Sequence, residues 1–312
     1  LVNRLREEDI AILERACNAD DYSVRILPAF QAFHGTHGAI EGAEHVRSLM
    51  ARNSDRLRYG LVKMMLDGSI QGFSARLRWP GYFNGAANGI WVTAPAQYEA
   101  DFETYHRAGL TIHTHTNGDE ASEAAIEAIE RVLARAPRPG HRHTLQHGQM
   151  IDAAMFRRMA ALGLSANLFA NHVWFWGDQH REITMGPDRA ERLDACRSAL
   201  DAGVPLAIHS DAPVTPLGPL HVAWCAVNRV TPSGRVLGAA ERITVGEALR
   251  AITLGAAWTL GLDGEIGSLE CGKSADLAVL EDDPLGVDPI KLKDIPVWGT
   301  MLSGRVFEAK PV

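Results

Sequence analysis

Short apolar runs alternate along the chain with longer stretches whose apolar positions recur every three to four residues. The runs predict strands at Tyr22–Ala29, Leu57–Leu66, Leu110–Thr116, Arg142–His147, Leu164–Phe169 and Val204–His209. Between them the helical spacing predicts helices at Ala39–Arg52, Pro95–Ala108, Glu120–Ala134, Ala153–Leu162 and Arg189–Ala202. In Glu120–Ala134, the residues Ala124, Ile126, Ala128, Ile129 and Leu133 fall near one face. A last long helix is expected over Thr244–Leu260, opened by Thr244 as N-cap with Glu247 three residues on, a capping box. The start, Leu1–Asp9, is polar and helix-like. After Gly261 the pattern changes. Short β-rich runs, Ala275–Leu280 and Val297–Phe307, are separated by Asp-Asp-Pro and Ser-Gly turns and predict a small β unit.

Strand–helix alternation implies parallel strands joined by helical crossovers. A doubly wound sheet and a TIM-type (β/α) barrel both fit. The barrel is favoured because no glycine-rich dinucleotide turn follows a strand. Polar, chemically capable residues also sit at the C-terminal ends of several strands, where barrel enzymes keep their sites. The expected class is α/β, a TIM-type barrel over residues 1–262 with part of a small C-terminal β-sandwich over 263–312. Only six strand–helix units are visible and a closed barrel needs eight, so the barrel is expected to be incomplete.

Composition narrows the function classes. The chain has 312 residues, 46% hydrophobic and 22% charged, enough for a sizeable core and too apolar for a disordered chain. Four scattered cysteines without a C-x-x-C pair exclude a disulfide scaffold and a zinc ribbon. A net charge of −7 leaves no footprint for nucleic acid or an anionic membrane. No apolar run approaches the roughly 20 residues of a membrane span. No signal peptide is visible, so a cytoplasmic location is expected. The chain begins without Met, and Leu1 is read as a processing or gene-fragment boundary that removes targeting evidence.

Candidate chemistry sits where strands end. Lys63 lies inside the apolar run Val62-Lys63-Met64-Met65. Lysine is rarely buried unpaired, although alone it also reads as an edge lysine that snorkels to solvent. His113 and His115 are two apart, so both face one side of their strand. His115 is nearer the strand's C-terminal end and is the better ligand; as an isolated pair they read equally as core histidines. His147 closes its strand before Gly148, whereas His143, at the strand's start, reads as structural. Asp211 follows in His209-Ser210-Asp211-Ala212-Pro213, where an aspartate also serves as a cap or turn former. Lys, His, His and Asp at four strand ends suit zinc or a similar divalent ion. Such an ion polarises a carbonyl and draws the pKa of bound water toward neutrality. A nearby carboxylate can then shuttle the proton.

These stretches also carry a resemblance. Val62-Lys63 with Asp67-Gly68-Ser69, His115-Thr116-Asn117-Gly118-Asp119, Arg142-His143-Thr144-Leu145-Gln146-His147, Ser210-Asp211-Ala212-Pro213 and Gly267–Leu277 resemble the metal-dependent amidohydrolase superfamily, in its amidohydrolase-3 (YtcJ-like) branch. The likeness runs from about Tyr22 to Phe307. It implies a hydrolase of a C–N bond other than a peptide bond, in an amide or N-acyl compound. The implied metal ligands are Lys63, His115, His147 and Asp211, around one or two divalent ions, zinc foremost. Lys63 would be a carbamylated bridge, or else a plain lysine paired with Asp67. Catalysis would fall to Asp211 and His147: His147 holds the metal whose hydroxide attacks the carbonyl, and Asp211 passes the water's proton to the leaving nitrogen. An ester, lactone or phosphoryl substrate is the alternative.

One family feature has no counterpart here. The first family strand ends in His-x-His and supplies two ligands, but no such motif precedes Lys63, and His34 and His37 are spaced wrongly for one strand face. The chain is therefore expected to be a C-terminal fragment of a longer enzyme. On that expectation the first two strand–helix units and half the sandwich are absent, and the barrel is open or completed by another chain. An inactive partial barrel is the reading from another class.

Three loops face the expected mouth, the third being Pro213–His221. The loop Asp67–Trp91 carries Arg76, Trp79 and Trp91, a set suited to a carboxylate beside an aromatic group; a packed lid is the plain alternative. His172 and His180 are candidates for substrate binding or proton transfer, or structural loop histidines. The expected partner is a small-molecule substrate, with room for a homo-oligomer.

Overall fold

The computed structural model describes residues 2–32 and 38–309, with side chains from residue 4 onward. His34 and His37 lie outside the described residues. Seven parallel strands form one sheet in chain order: β1 (Val2–Asn3), β2 (Ala29–Gln31), β3 (Leu61–Met65), β4 (Thr111–Thr116), β5 (Thr144–His147), β6 (Ser165–Leu168) and β7 (Leu206–Ile208). Consecutive order means that every crossover winds the same way. That is the winding of a (β/α) barrel; a doubly wound sheet reverses at a switch point. Among the described residues β1 and β7 do not pair, so the barrel is open between them. Among the described residues seven strands are present, one short of eight, where the sequence pattern showed six. The polar start contains β1 and helix α1 (Glu7–Asn18); a two-residue strand is too short to show a period.

The remaining helices are α2 (Ala39–Leu49), α3 (Pro95–Arg107), α4 (Asp119–Arg135), α5 (Ala153–Leu162), α6 (His172–Gln179), α7 (Pro187–Ala190), α8 (Cys196–Asp201), α9 (Pro219–Asn228), α10 (Val245–Ile252) and α11 (Leu254–Thr259). Helix α5 shows how local chemistry sets both ends. The Asp152 side chain accepts from the N–H groups of Ala154 and Met155, and Gly163 stops the helix at φ 70°. In α4 the buried stripe is Ala121, Ser122, Ala125, Ile126, Ala128, Ile129 and Val132, one step around from the expected face. Ala124 and Leu133 only flank it.

Two expected helices are interrupted. Within Arg189–Ala202 the chain breaks at Asp194, held at φ 49°. Its N–H donates to Gln149 O, and its carboxylate accepts from Phe169 N–H at 3.1 Å. Within Thr244–Leu260 the Thr244–Glu247 capping box forms as expected, but the helix breaks at Thr253. The break seats Gly255 against the Leu206 carbonyl of β7, where a Cβ would stand 2.1 Å from the oxygen. The strand expected at Tyr22–Ala29 makes only an isolated bridge at Ile26 before β2 begins.

At the base of the barrel three imidazoles form a hydrogen-bonded chain. His143 Nδ1 accepts from Ile112 N–H at 3.1 Å, and its Nε2 lies 2.8 Å from His106 Nδ1. His106 Nε2 bonds the Ala136 carbonyl at 2.7 Å. His141 Nδ1 accepts from His143 N–H at 2.9 Å, and its Nε2 bonds the Leu162 carbonyl. His143 is thus built into the frame.

The C-terminal part is a three-stranded antiparallel sheet, order β10–β9–β8: β8 (Leu277–Leu280), β9 (Val297–Leu302) and β10 (Arg305–Glu308). Ser303 at φ 50° and Gly304 at φ 82° turn the β9–β10 hairpin. Arg25, just before β2, donates to Asp276 at 2.6 Å and also engages Asp55 and Ser303, tying this sheet to the barrel. All four cysteines are free thiols; Cys17, Cys196 and Cys225 are buried and Cys271 is exposed. Among the described residues no helix is long and apolar enough to cross a membrane.

Candidate metal centre and substrate mouth

The register of β3, β4 and β5 aligns Met65, His115 and Gln146, with Lys63 two residues before Met65. Residues two apart share a face, so Lys63, His115 and Gln146 point the same way. By strict alternation His147 belongs on the opposite face. It turns back instead, because its φ is 71°. Both neighbours therefore reach one lysine: Gln146 Oε1 accepts from Lys63 Nζ, and His147 Nε2 lies 3.3 Å from the same nitrogen. Asp211 is likewise held at φ 53°. A non-glycine residue in that region costs on the order of 1–3 kcal/mol and persists only where its surroundings hold it.

These turns gather the strand ends. His147, His209 and Asp211 each place a ligand atom within 4.8 Å of the other two. His115 packs edge-on against His147 with ring centroids 4.4 Å apart, and His147 lies 4.9 Å from His209. Phe169 stacks against them, 4.6 Å from His147, 4.4 Å from His209 and 3.7 Å from His172. Lys63, His115, His147 and Asp211 thus come together from four strand ends, and His209 joins them.

Burial sets the electrostatics. Lys63, 6% exposed, is pushed down to about 7, against the pull of Asp211. Burial lowers His115 to about 3 and His209 to about 3, with the Lys63 charge adding to both, and holds His147 well below the usual imidazole range. Desolvation raises the Asp211 carboxyl, and Lys63 opposes it. The rings are therefore neutral at neutral pH, the state in which imidazole offers a lone pair.

The donor set fits a divalent cation. His209 Nε2 is buried and has no partner within the protein. His147 Nδ1 is likewise buried and unpartnered. Two imidazoles and a carboxylate within reach of one point are the ligand types that zinc and similar ions take.

A sequence profile described as the amidohydrolase family matches residues 2–307. The chain belongs to that family. The chain is 26% identical over 280 residues to the putative amidohydrolase YtcJ of Bacillus subtilis, covering 88% of this chain and 51% of that protein. It is 31% identical over 198 residues to the N-substituted formamide deformylase of Arthrobacter pascens, covering 64% and 36% of the two. Among solved structures, an uncharacterized metal-dependent hydrolase from Pyrococcus horikoshii superposes with a TM-score of 0.73 at 21% identity, over 91% of this chain and 55% of the other. The chain thus spans about half the length, or less, of the relatives it matches.

Other expected site residues fall differently in this chain. Lys63 does not pair with Asp67. Asp67 is fully buried, and its carboxylate accepts from the N–H groups of Arg76, Asn117 and Gly118 at 3.0, 3.0 and 2.9 Å. Its Oδ1 lies 3.8 Å from His115 Nε2, and burial pushes it up to about 7 against those three donors. His113 lies one layer below His115, bonded to Thr259 O and Gln146. Arg76 lies over the Trp91 ring at 5.1 Å, but its guanidinium is engaged by Glu120 at 2.9 Å and by Gly89 O at 3.0 Å. That pairing neutralises the charge assigned to a substrate carboxylate. Trp79 is 94% exposed, its ring almost wholly in solvent. His172 and His180 are buried, on or next to α6.

His209, Gln146 and Gln149 escaped the sequence reading. For His209 a signal existed: it stands two residues before Asp211, the spacing that drew attention to His113 and His115. For the glutamines there was none, since an amide in a strand or loop carries no mark of its own.

Proposed function

We propose that this chain carries the greater part of the active site of a metal-dependent hydrolase that cleaves a non-peptide C–N bond in an amide or N-acyl compound. The carrying observation is the convergence of His147, His209 and Asp211 within 4.8 Å of one another beside buried Lys63. The family membership and a formamide deformylase among the relatives support the choice of bond.

His147, His209 and Asp211, flanked by His115, would hold a divalent ion, with zinc the best match to two imidazoles and a carboxylate. Such an ion supplies Lewis-acid polarisation of a carbonyl and a lowered pKa for water. The chain's own groups do the rest. Lys63, with its amine near neutrality, can add to carbon dioxide, forming an N–C bond and releasing a proton, and so become a carbamate. Asp211, exposed at the mouth, takes the proton from attacking water and returns it to the leaving nitrogen. Phe169 stacks against the histidines and excludes water from their faces.

The test is elemental analysis of purified protein followed by paired chromogenic substrates. Bound zinc or a similar ion is expected, with activity lost to a chelator. Faster turnover of 4-nitroformanilide than of 4-nitrophenyl acetate supports C–N cleavage; the reverse order assigns the site to esters. Absence of both metal and chelator sensitivity sinks the proposal.

A further inference from the structure

Helix α6 and the turn after it present three buried ring nitrogens without partners: His172 Nε2, Trp176 Nε1 and His180 Nε2. These residues are four apart and therefore share one helical face. An unpaired buried polar group costs about 1–3 kcal/mol, so one face carrying three of them is built to receive hydrogen-bonding partners. The stripe reaches the candidate centre through Phe169, which stacks on His172 at 3.7 Å and on His209 at 4.4 Å.

His172 is the member whose hydrogen position is set. Gln149, fully buried, sends its side-chain N–H to His172 Nδ1 at 2.8 Å. An imidazole that accepts at Nδ1 carries its hydrogen at Nε2 when neutral. We propose that Gln149 fixes His172 as an Nε2–H donor that holds the carbonyl oxygen of the substrate, so that Gln149 is a positioning residue and His172 a direct contact. This rests on the hydrolase reading above and adds to it how the acyl group is oriented.

Burial keeps His172 well below the usual imidazole range, which leaves the tautomer as the property that matters. Neutral donors suit an uncharged acceptor. A carboxylate would give up its hydration for rings that carry no charge to compensate it, whereas an amide carbonyl gives up far less.

The experiment uses 15N-histidine-labelled full chain and the variant Gln149→Glu, which is nearly isosteric and, when ionised, offers only acceptors. Long-range 15N–1H correlation reads the tautomer directly. The expected wild-type signal for His172 is Nε2-protonated, and its Nε2 resonance shifts when 4-nitroformanilide is added. In Gln149→Glu the hydrogen moves to Nδ1, the melting temperature stays within a few degrees, and kcat/KM falls on the order of 10²-fold, the cost of losing one oriented donor. A wild-type His172 protonated at Nδ1 overturns the proposal. So does a variant whose tautomer switches while kcat/KM is unchanged, the outcome expected if His172 holds only a structural water. If the wild type hydrolyses no substrate, the hydrolase reading fails separately. The resonance shift then decides: a shift supports carbonyl contact at His172, and an unmoved resonance refutes it.

Discussion

His106, His141 and His143 each have a tautomer dictated by their neighbours. Every ring donates from Nε2 and accepts at Nδ1, so the chain of bonds exists only while all three are neutral. Burial lowers all three below the ordinary imidazole value. In the unfolded chain they titrate near 6.5. Below that pH the unfolded state binds more protons than the folded one, so stability falls as pH drops, by up to about 1.4 kcal/mol per pH unit for each histidine. Thermal melts of metal-free protein should therefore show a lower melting temperature at pH 5 than at pH 7. Other buried histidines add to the slope, so a variant isolates the triad. His141→Asn keeps an acceptor for His143 N–H but cannot titrate, and should flatten the slope by about one proton's worth; an unchanged slope contradicts this account. At this scale the sequence showed which residue types stood at strand ends, because strand periodicity assigns faces. It could not show that His147 turns back at positive φ, nor that Gln146 bonds Lys63 and His113 while Gln149 bonds His172. Those facts depend on partners distant in the chain.

The loop after β3 and the start of α4 are joined by one carboxylate. Asp67 takes backbone N–H groups from Arg76, Asn117 and Gly118, and Gly118 lies so close to the Arg76 carbonyl that a Cβ would stand 1.8 Å from its oxygen. Asp67→Ala leaves three buried donors unpaired and should cost several kcal/mol, at about 1–3 kcal/mol each before the loop relaxes. Gly118→Ala should be comparably damaging, and chemical denaturation of both variants measures it. By contrast Thr244→Ala removes only an exposed cap from α10 and should cost about 1 kcal/mol. Helices with such local signals, α5 and α10, were readable at their starts from sequence. The breaks at Asp194 and Thr253 were not. In both places a tertiary contact, to Phe169 N–H or to the Leu206 carbonyl, outweighs an uninterrupted apolar period.

The whole ring of strands follows chain order, which is why alternation alone led to the right architecture although the count of strands was low. The attachment of the small sheet was invisible, because it depends on contacts far apart in the chain: Arg25 with Asp276, Trp224 Nε1 with the Ile290 carbonyl at 2.7 Å, and Leu292 and Ile295 packed into the main core. Arg25→Ala should loosen β8–β10 without opening the barrel; hydrogen exchange would then quicken over Val297–Glu308 and stay unchanged over β3–β6. Equal quickening in both would mean that the two sheets open together. The sulfur atoms allow a finer reading of the same question. Cys17 on α1, Cys196 on α8 and Cys225 on α9 are sealed in three different sectors, while Cys271 faces solvent. An alkylating reagent should consume one equivalent at once and then clock the other three. Coincident rates would mark the ring as a single cooperative body, and staggered rates would name the sector that gives way first.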